Sequence, residues 1–239
     1  PDERDFRQRD VKLMVSMANQ AAIAIENARL YDAAQQEITE RKKVQEALNK
    51  RLVALTEPLE TASISFTDLF NLEDLQKIQD AFAKATNVAS IITHPDGTPI
   101  TRPSNFCRLC NDIIRKTKKG LENCFYSDAI IGRQNPSGPI IQPCLSGGLW
   151  DAGASITVGG KHIANWLIGQ VKNEAIDEEK IIRYASEIGT DEDEFRQALQ
   201  EVPVMSNEQF QKVADALFLL ANELSLKAYQ NVRQAQIIL

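Results

Sequence analysis

The sequence predicts an α+β fold, a five-stranded antiparallel sheet with helices on one face, flanked by a long N-terminal helix and a C-terminal helix. Residues 5–56 contain no glycine or proline and are rich in helix formers. Residues 88–101 and 139–171 instead carry β-branched and apolar runs between turn residues. Helical periodicity returns near the end of the chain. The predicted order is a helix, a hairpin, two helices, three strands and further helices, which suggests an α+β fold.

The first predicted element is a helix on the order of 75 Å long, at about 1.5 Å per residue. Its first half has small and apolar residues at spacings of three and four: Val11, Met14, Met17, Ala18, Ala21, Ala22 and Ile25. Its second half narrows to a coiled-coil seam through Ile38, Val44 or Gln45, Leu48, Leu52 and Leu55. A single helix cannot bury such a stripe against itself, so we expect a homodimer through it. Packing onto the rest of the chain is the alternative.

Pro58 and residues 61–65 are predicted to end this helix. A second helix follows over residues 72–86, with Asn71 as its N-cap. Residues 88–101 predict a β-hairpin around a Pro-Asp-Gly turn. Two short helices are expected next, one over residues 104–118 and one over residues 121–133.

The runs "PIIQPCLSG", "DAGASITVG" and "KHIANWLIGQV" predict three further strands. Gly159 and Gly160 form a two-residue hairpin turn between the last two strands. Pro203 is expected to break the helical segment that follows, and a final helix is predicted from Ser206.

The composition narrows the class of protein. The chain has 239 residues, 43% of them apolar, and a net charge of −6, which argues against a nucleic-acid surface. The run "RKTKKG" could meet an anion, but a solvated helix end is the favoured interpretation. No apolar run approaches the roughly 18 residues of a membrane span, and no signal peptide opens the chain. We therefore expect a piece of a larger cytoplasmic protein, with its cysteines reduced.

Four cysteines are the most informative residues, and three of them lie in "NFCRLCNDIIRKTKKGLENCF". Cys107 and Cys110 have the spacing of a metal-ligand pair, Cys124 is placed in the first turn of the next helix, and Cys144 in a strand. Four thiolates suit tetrahedral zinc or an iron–sulfur cluster. Free cysteine is also among the most buried residue types. The residues leave both interpretations open.

Catalysis has little support. The chain has two histidines and no Ser/His/Asp arrangement, phosphate loop or zincin motif. Trp150 and Trp166, the only tryptophans, fall in or beside the predicted sheet, close to glycines at 147, 148 and 153. Aromatic residues, cysteines and glycines on one sheet face would form a mostly apolar pocket for a small molecule, and ordinary core is the alternative.

Two family resemblances follow from these segments. "MVSMANQAAIAIENARLYDAA" is similar to the closing helix of a GAF domain, and "ITERKKVQEAL" is similar to a linker between signalling modules. From about residue 65 to 230 the chain resembles the PocR sensory-domain family. The most specific parts are the cysteine after "SNF", the cysteine of "LENCF", "PCLSGGLWDAGASITVGGKHI" and "GQV".

The resemblance implies a PAS-like cytoplasmic module that binds a small organic ligand and relays the signal through flanking helices to an output domain. It divides the chain into a truncated GAF-like helix (1–33), a coiled-coil linker (34–60), the sensory domain (64–202) and a C-terminal helix toward a missing output domain (203–239). The implied ligand-binding residues are Cys107, Cys124, Cys144, Trp150, Asp151 and Gln170. Leu145 departs from the family, whose members often carry histidine after the last cysteine.

Three functions are therefore compared. The leading prediction is a non-enzymatic input module of a dimeric signalling protein, with a small organic ligand. The alternative is a redox sensor on the same fold, with zinc or an iron–sulfur cluster on Cys107, Cys110, Cys124 and Cys144. A structural dimerisation piece without a working pocket is the third.

Overall fold

The computed structural model describes residues 8–56, 66–173 and 176–238. The α-helices in these ranges are α1 (Gln8–Thr56), α2 (Phe66–Leu69), α3 (Leu72–Thr86), α4 (Lys118–Ile131), α5 (Glu178–Ile188), α6 (Glu192–Gln200) and α7 (Asn207–Ile238). The strands are β1 (Ala89–Thr93), β2 (Ile140–Pro143), β3 (Trp150–Val158) and β4 (Lys161–Val171). A π-helical turn (Leu109–Ile113) and a 3-10 turn (Ile114–Lys116) precede α4. The predicted α+β class is confirmed.

The sheet is antiparallel, and its order is β1-β4-β3-β2. It has four strands within the described residues, rather than the predicted five. The second arm of the N-terminal hairpin forms only isolated bridges, Thr93 with Pro99 and Ser90 with Ser104. Pro99 has no N–H to donate to a ladder, so this arm cannot continue as a regular strand.

The predicted turns and caps fit the observed boundaries. The side chain of Asn71 accepts hydrogen bonds from the N–H groups of Glu73 and Asp74 and caps α3. Gly159 and Gly160 have φ values of 54° and 79°, which suits a two-residue turn between β3 and β4. The hydroxyl of Ser206 accepts from the N–H of Gln209 at 3.2 Å, at the start of α7.

Helices cover both faces of the sheet, which corrects the prediction of helices on one face. Side chains alternate along a strand, so neighbouring residues face opposite layers. On one face, the buried residues of β3, β4 and β1 pack with α3 and α7: Ala152, Ala154, Ile156, Ala164, Trp166, Ile168 and Ile92, against Leu75, Leu217 and Ala221. On the other face, Ile91 and Leu167 pack against Ile131 of α4. Both faces of the central strands are therefore apolar.

A second core lies apart from the sheet. It joins the segment before α4 to α4, α5 and α6 through Leu109, Cys110, Ile113, Ile114, Cys124, Leu149, Ile181, Ile182, Tyr184, Ala185, Ile188, Phe195, Ala198, Leu199 and Val202. The cysteine-bearing segment is therefore held between the sheet and this second core, and this position forms the site described below.

Helix α1 exposes its apolar residues, with Met17 62% and Leu30 60% exposed. Two predictions fall outside what the structure describes: the side chains of the coiled-coil seam from Leu48 onward, and the break at Pro58.

The chain divides into two units, Pro1–Lys50 and Arg51–Leu239. Within the described ranges, no helix combines the length and apolar character needed to cross a bilayer.

Candidate ligand cavity

The segment that carries Cys107 and Cys110 is not the regular helix predicted over residues 104–118. Cys107 directly precedes a short turn whose centre is π-helical, Leu109–Ile113. The N–H of Ile114 is directed at the carbonyls of both Cys110 and Leu109. Thr117 then caps α4 by accepting from the N–H of Gly120 at 3.0 Å. Single π turns inside helices often accompany functional sites.

Cys124 lies in the second turn of α4, since the helix begins at Lys118 and not at the predicted residue 121. Burial raises the pKa of the Cys124 thiol, although the nearby Arg115 guanidinium acts in the opposite direction. The prediction that Cys124 lies in the first turn of a helix is therefore wrong. The sulfur of Cys124 is within 3.5 Å of the Ser146 hydroxyl.

Cys144 follows the end of β2 and lies in a turn, not in a strand as predicted. Its N–H donates to the carbonyl of Leu149 at 2.6 Å, and its carbonyl accepts from Gly148 at 3.0 Å. Its sulfur accepts a hydrogen bond from Ser127 of α4 at 3.4 Å. The residue as a whole is only partly buried, yet burial of its sulfur raises the pKa of Cys144 well above its ordinary value.

A bulge in β4 shapes the opposite wall. Gly169 and Gln170 together face Asp151 of β3, because the register shifts between Trp150 and Ala152. Gln170 has a φ of 58°, an unusual backbone conformation for a residue with a side chain. Its N–H donates to Oδ1 of Asp151 at 2.8 Å. Its Oε1 accepts from the N–H of Cys107 at 2.9 Å.

Gly169 is required by this arrangement. A Cβ at this position would lie 2.0 Å from Oδ1 of Asp151 and 2.7 Å from its Cα. The backbone at Gly169, with a φ of 156°, therefore approaches Asp151 as only glycine allows.

A cavity of about 30 Å³ lies between these walls. Its apolar lining includes Ala89, Ile91, Phe106, Leu149, Leu167 and Ile168, and its polar lining includes Ser90, Arg115, Asp128, Asp151 and Gln170. Cys110, Cys124 and Cys144 also line it. Four of the six predicted ligand-binding residues thus meet here, namely Cys124, Cys144, Asp151 and Gln170. Cys107 lies beside them and contacts Gln170 through its backbone.

Trp150 does not line the cavity. It packs against the core on the α7 face of the sheet, whereas Asp151, the next residue along β3, faces the cavity. Successive side chains of a strand point to opposite faces of the sheet, and at this position of β3 only Asp151 points to the cavity. Leu145 is 50% exposed and lies outside the cavity lining.

Arg115 and Asp128 are the site residues that sequence reasoning missed. Arg115 belongs to "RKTKKG", which was interpreted as a solvated helix end, but its side chain is only 12% exposed. Its Nη2 donates to Oδ2 of Asp128 at 2.9 Å, and its guanidinium lies 5.0 Å from the ring centre of Phe106. Among the described residues, the Nε of Arg115 is buried without a hydrogen-bond partner. The apolar pair Ile113-Ile114 before it was the available signal that this turn faces a core.

Both cavity carboxyls have raised pKa values. Desolvation raises the pKa of Asp151 to about 7, although the N–H of Gln170 stabilises the charged form. Desolvation also raises the pKa of Asp128 to about 6, against the effect of the Arg115 cation. The cavity therefore holds two carboxyl groups that change protonation close to neutral pH.

Among the described residues, the four thiols are not grouped in the way that a metal centre requires. Cys107 and Cys110 interact with each other, while Cys124 and Cys144 interact with separate serine hydroxyls. Within the part of the chain that the structure describes, no group of three or more His, Cys, Asp or Glu side chains is arranged to hold a metal ion. The predicted tetrahedral thiolate site therefore has no geometric support.

Comparison with known proteins gives one match. A family model described as the sensory domain found in PocR matches residues 68–229. No curated protein and no solved structure matches the chain. The family model spans most of the chain and includes every residue that lines the cavity. The chain therefore belongs to the family of sensory domains found in PocR.

Proposed function

We propose that this chain is a cytoplasmic input module that binds a small organic ligand in the cavity between β4 and the cysteine-bearing segment. The module relays the bound state through its flanking helices to an output domain of the full-length protein. The proposal assigns no catalytic step to the chain. A reducing compartment suits its four free thiols.

The observation that carries the proposal is the convergence of buried polar groups on one small cavity. Arg115, Asp128, Asp151 and Gln170 come from four different elements and line the same space. Burying such groups costs free energy unless hydrogen bonds compensate for it. The unpartnered Nε of Arg115 would be satisfied by an oxygen atom of a ligand. The ligand class that fits is a small molecule with an oxygen acceptor and an apolar part.

The size of the cavity limits the ligand. A volume of about 30 Å³ accommodates two or three water molecules, at roughly 10–15 Å³ each. A ligand with more than a few heavy atoms would therefore extend out of the open side of the cavity or widen it. The wall between Cys107 and Lys116 is the candidate for movement, because π-helical and 3-10 turns hold it rather than a regular helix.

A route from the cavity to α7 runs along the end of β4. Lys172 lies two residues after Gln170, and its N–H donates to the carbonyl of Pro203 at 2.8 Å. The carbonyl of Lys172 accepts from the N–H of Met205 at 2.9 Å, just before α7 begins. A ligand that binds one arrangement of the bulge better than another would shift the start of α7.

The exposed apolar stripe of α1 supports a second part of the proposal, a homodimer through this helix. Val11, Met14, Met17 and Ile25 are each at least half exposed. Their spacing of three and four lets one stripe bury against a second copy. A dimer would bring two input modules to one pair of outgoing helices.

A thermal-shift screen of small oxygen-containing organic compounds tests ligand binding. A compound at 100 times its Kd would add about 2.7 kcal/mol of stability, and thus roughly 5–10 °C to the Tm of a chain of this size. The site variant is Asp128→Asn, and the matched control is Glu122→Gln, an exposed carboxylate on the same helix. Loss of the shift in the site variant alone supports the proposal. A shift that survives in both variants would place the ligand elsewhere.

Zinc or an iron–sulfur cluster on the four cysteines is the competing hypothesis. Elemental analysis with an absorption spectrum, on protein purified without oxygen, tests it directly. One metal ion or cluster per chain, lost in Cys110→Ala, would replace the small-ligand proposal.

A further inference from the structure

Cys107 and Cys110 form an interacting pair of thiols. The two thiols are close enough to change each other's pKa: the Cys110 side chain lowers the pKa of Cys107, and Cys107 raises the pKa of Cys110. Residues three apart on a helical turn share one face, which is the arrangement of C-x-x-C redox motifs. The sulfurs of Cys124 and Cys144 instead contact the hydroxyls of Ser146 and Ser127.

The two thiols differ in accessibility. Cys107 is partly exposed, at the end of an irregular segment, whereas Cys110 is 8% exposed and lies behind it. An external reagent therefore reaches Cys107 first, while Cys110 is held in contact with the sulfur that would be modified. An attacking thiol in front of a resolving thiol is the arrangement that thiol–disulfide exchange requires.

We propose that Cys107 and Cys110 are a reversible thiol–disulfide couple, which gives this domain a redox input independent of its organic ligand. The oxidant is a low-molecular-weight disulfide. The Cys107 thiolate attacks one sulfur of the oxidant and releases one thiolate, leaving a mixed disulfide. Cys110 then attacks the Cys107 sulfur and releases the second thiolate.

The exchange is balanced. The two protons of the cysteine thiols pass to the two released thiolates, so one disulfide is reduced to two thiols and two cysteines are oxidised to one disulfide. Cys110 lines the cavity and the N–H of Cys107 bonds to Gln170, so the new bond alters the cavity wall directly.

Oxidised glutathione is the probe for the test. The 239-residue chain is reduced, freed of reductant without oxygen, and equilibrated with mixtures of oxidised and reduced glutathione. We expect the four free thiols to fall to two as the mixture becomes oxidising, and to return on adding dithiothreitol. Trypsin cleaves after Arg108, so the expected disulfide links two separate peptides that mass spectrometry identifies without reduction.

Single substitutions distinguish the attacking thiol, Cys107, from the resolving thiol, Cys110. Cys110→Ser should accumulate a stable glutathione adduct on Cys107, because the resolving thiol is missing. Cys107→Ser should lose the disulfide, and the matched control Cys124→Ser should keep it. Four thiols that persist in oxidising mixtures, or a disulfide that links other cysteines, would overturn the proposal. The peptide map of the oxidised chain without substitutions identifies the linked cysteines even where a variant fails to fold.

Discussion

At the scale of single residues, Gln170 is the most unusual position of the cavity. A side-chain-bearing residue at a φ of 58° costs on the order of 1–3 kcal/mol and persists only when its surroundings enforce it. Here the enforcing contacts are its N–H to Asp151 and its Oε1 to the N–H of Cys107. These two hydrogen bonds thus join β3, the bulge of β4 and the cysteine-bearing segment at one residue.

Asp151 leads to a prediction about pH. Its folded pKa of about 7 lies above the ordinary value of 3.8, so the folded state binds the extra proton between these values. The stability that this proton provides is complete below about pH 4 and is lost as the pH rises through 7. Asp151→Asn mimics the protonated form. We expect it to raise stability at pH 8 by on the order of 2 kcal/mol, with little effect at pH 4.

Urea unfolding of both proteins at pH 4, 6 and 8 measures this difference. Asp128 titrates in the same direction, so a smaller pH dependence should remain in the variant. An unchanged pH dependence would mean that Asp151 is ionised in the folded chain throughout this range.

Gly169 gives a second prediction at this scale. Gly169→Ala introduces a Cβ 2.0 Å from Oδ1 of Asp151, whereas Gly138→Ala introduces one with no atom within 4 Å. The φ values of the two glycines are 156° and 158°, so the backbone cost is nearly the same and the clash is the difference. We expect Gly169→Ala to lose about 1–3 kcal/mol more than Gly138→Ala. Equal losses in chemical denaturation would argue against a close contact at the bulge.

At the scale of elements, the Arg115–Asp128 ion pair joins the 3-10 turn to α4. The two side chains are only 12% and 9% exposed, so water can solvate neither charge well. Removing one member leaves the other buried and uncompensated, which is more costly than losing a surface pair. The pair therefore joins the irregular segment to α4, at the wall of the cavity that both residues line.

Arg115→Met should consequently destabilise the chain by about 3–5 kcal/mol at pH 8, because Asp128 is ionised there and is left buried without its partner. The loss should shrink at pH 5, because a folded pKa of about 6 leaves Asp128 mostly protonated there. Lys116→Met removes an exposed charge from the same turn and should change stability by less than about 0.5 kcal/mol. A loss that does not vary with pH would assign the effect to packing instead of charge.

At the scale of the whole molecule, the prediction concerns assembly. Sedimentation of the full chain should give a dimer, and Met17→Lys should shift it toward monomer because a charge enters the apolar stripe. Met17 is 62% exposed, and Gln20→Lys on the same helix is the control for an added charge outside the stripe. A monomeric full chain, or equal effects of both variants, would remove α1 as the dimer contact.

Much of the fold could be predicted from local sequence. The Asn71 cap, the Gly159-Gly160 turn and the start of α7 each depend on short-range chemistry, and each was predicted at its observed place. The predicted fifth strand was wrong because this segment resembles a strand in composition, but Pro99 has no N–H to donate and only isolated bridges form. Helices on both faces were missed because an apolar run does not reveal how many layers cover a strand.

The residues of the site also fall into those that the sequence predicted and those that it did not. The resemblance to the PocR sensory-domain family pointed to Cys124, Cys144, Asp151 and Gln170, which meet at the cavity. Trp150 was misassigned because local sequence does not show which face of β3 borders the cavity. Arg115 was missed because burial of a charge depends on a partner that is distant in sequence, here Asp128.

The sequence by itself determined the α+β class, most element boundaries and the family, because these depend on local propensity and on the identity of residues along the chain. Only the tertiary structure decided which side chains share the cavity and which thiols meet. Those contacts join β3, β4, α4 and the π-helical turn, and their geometry exists only after the segments pack together.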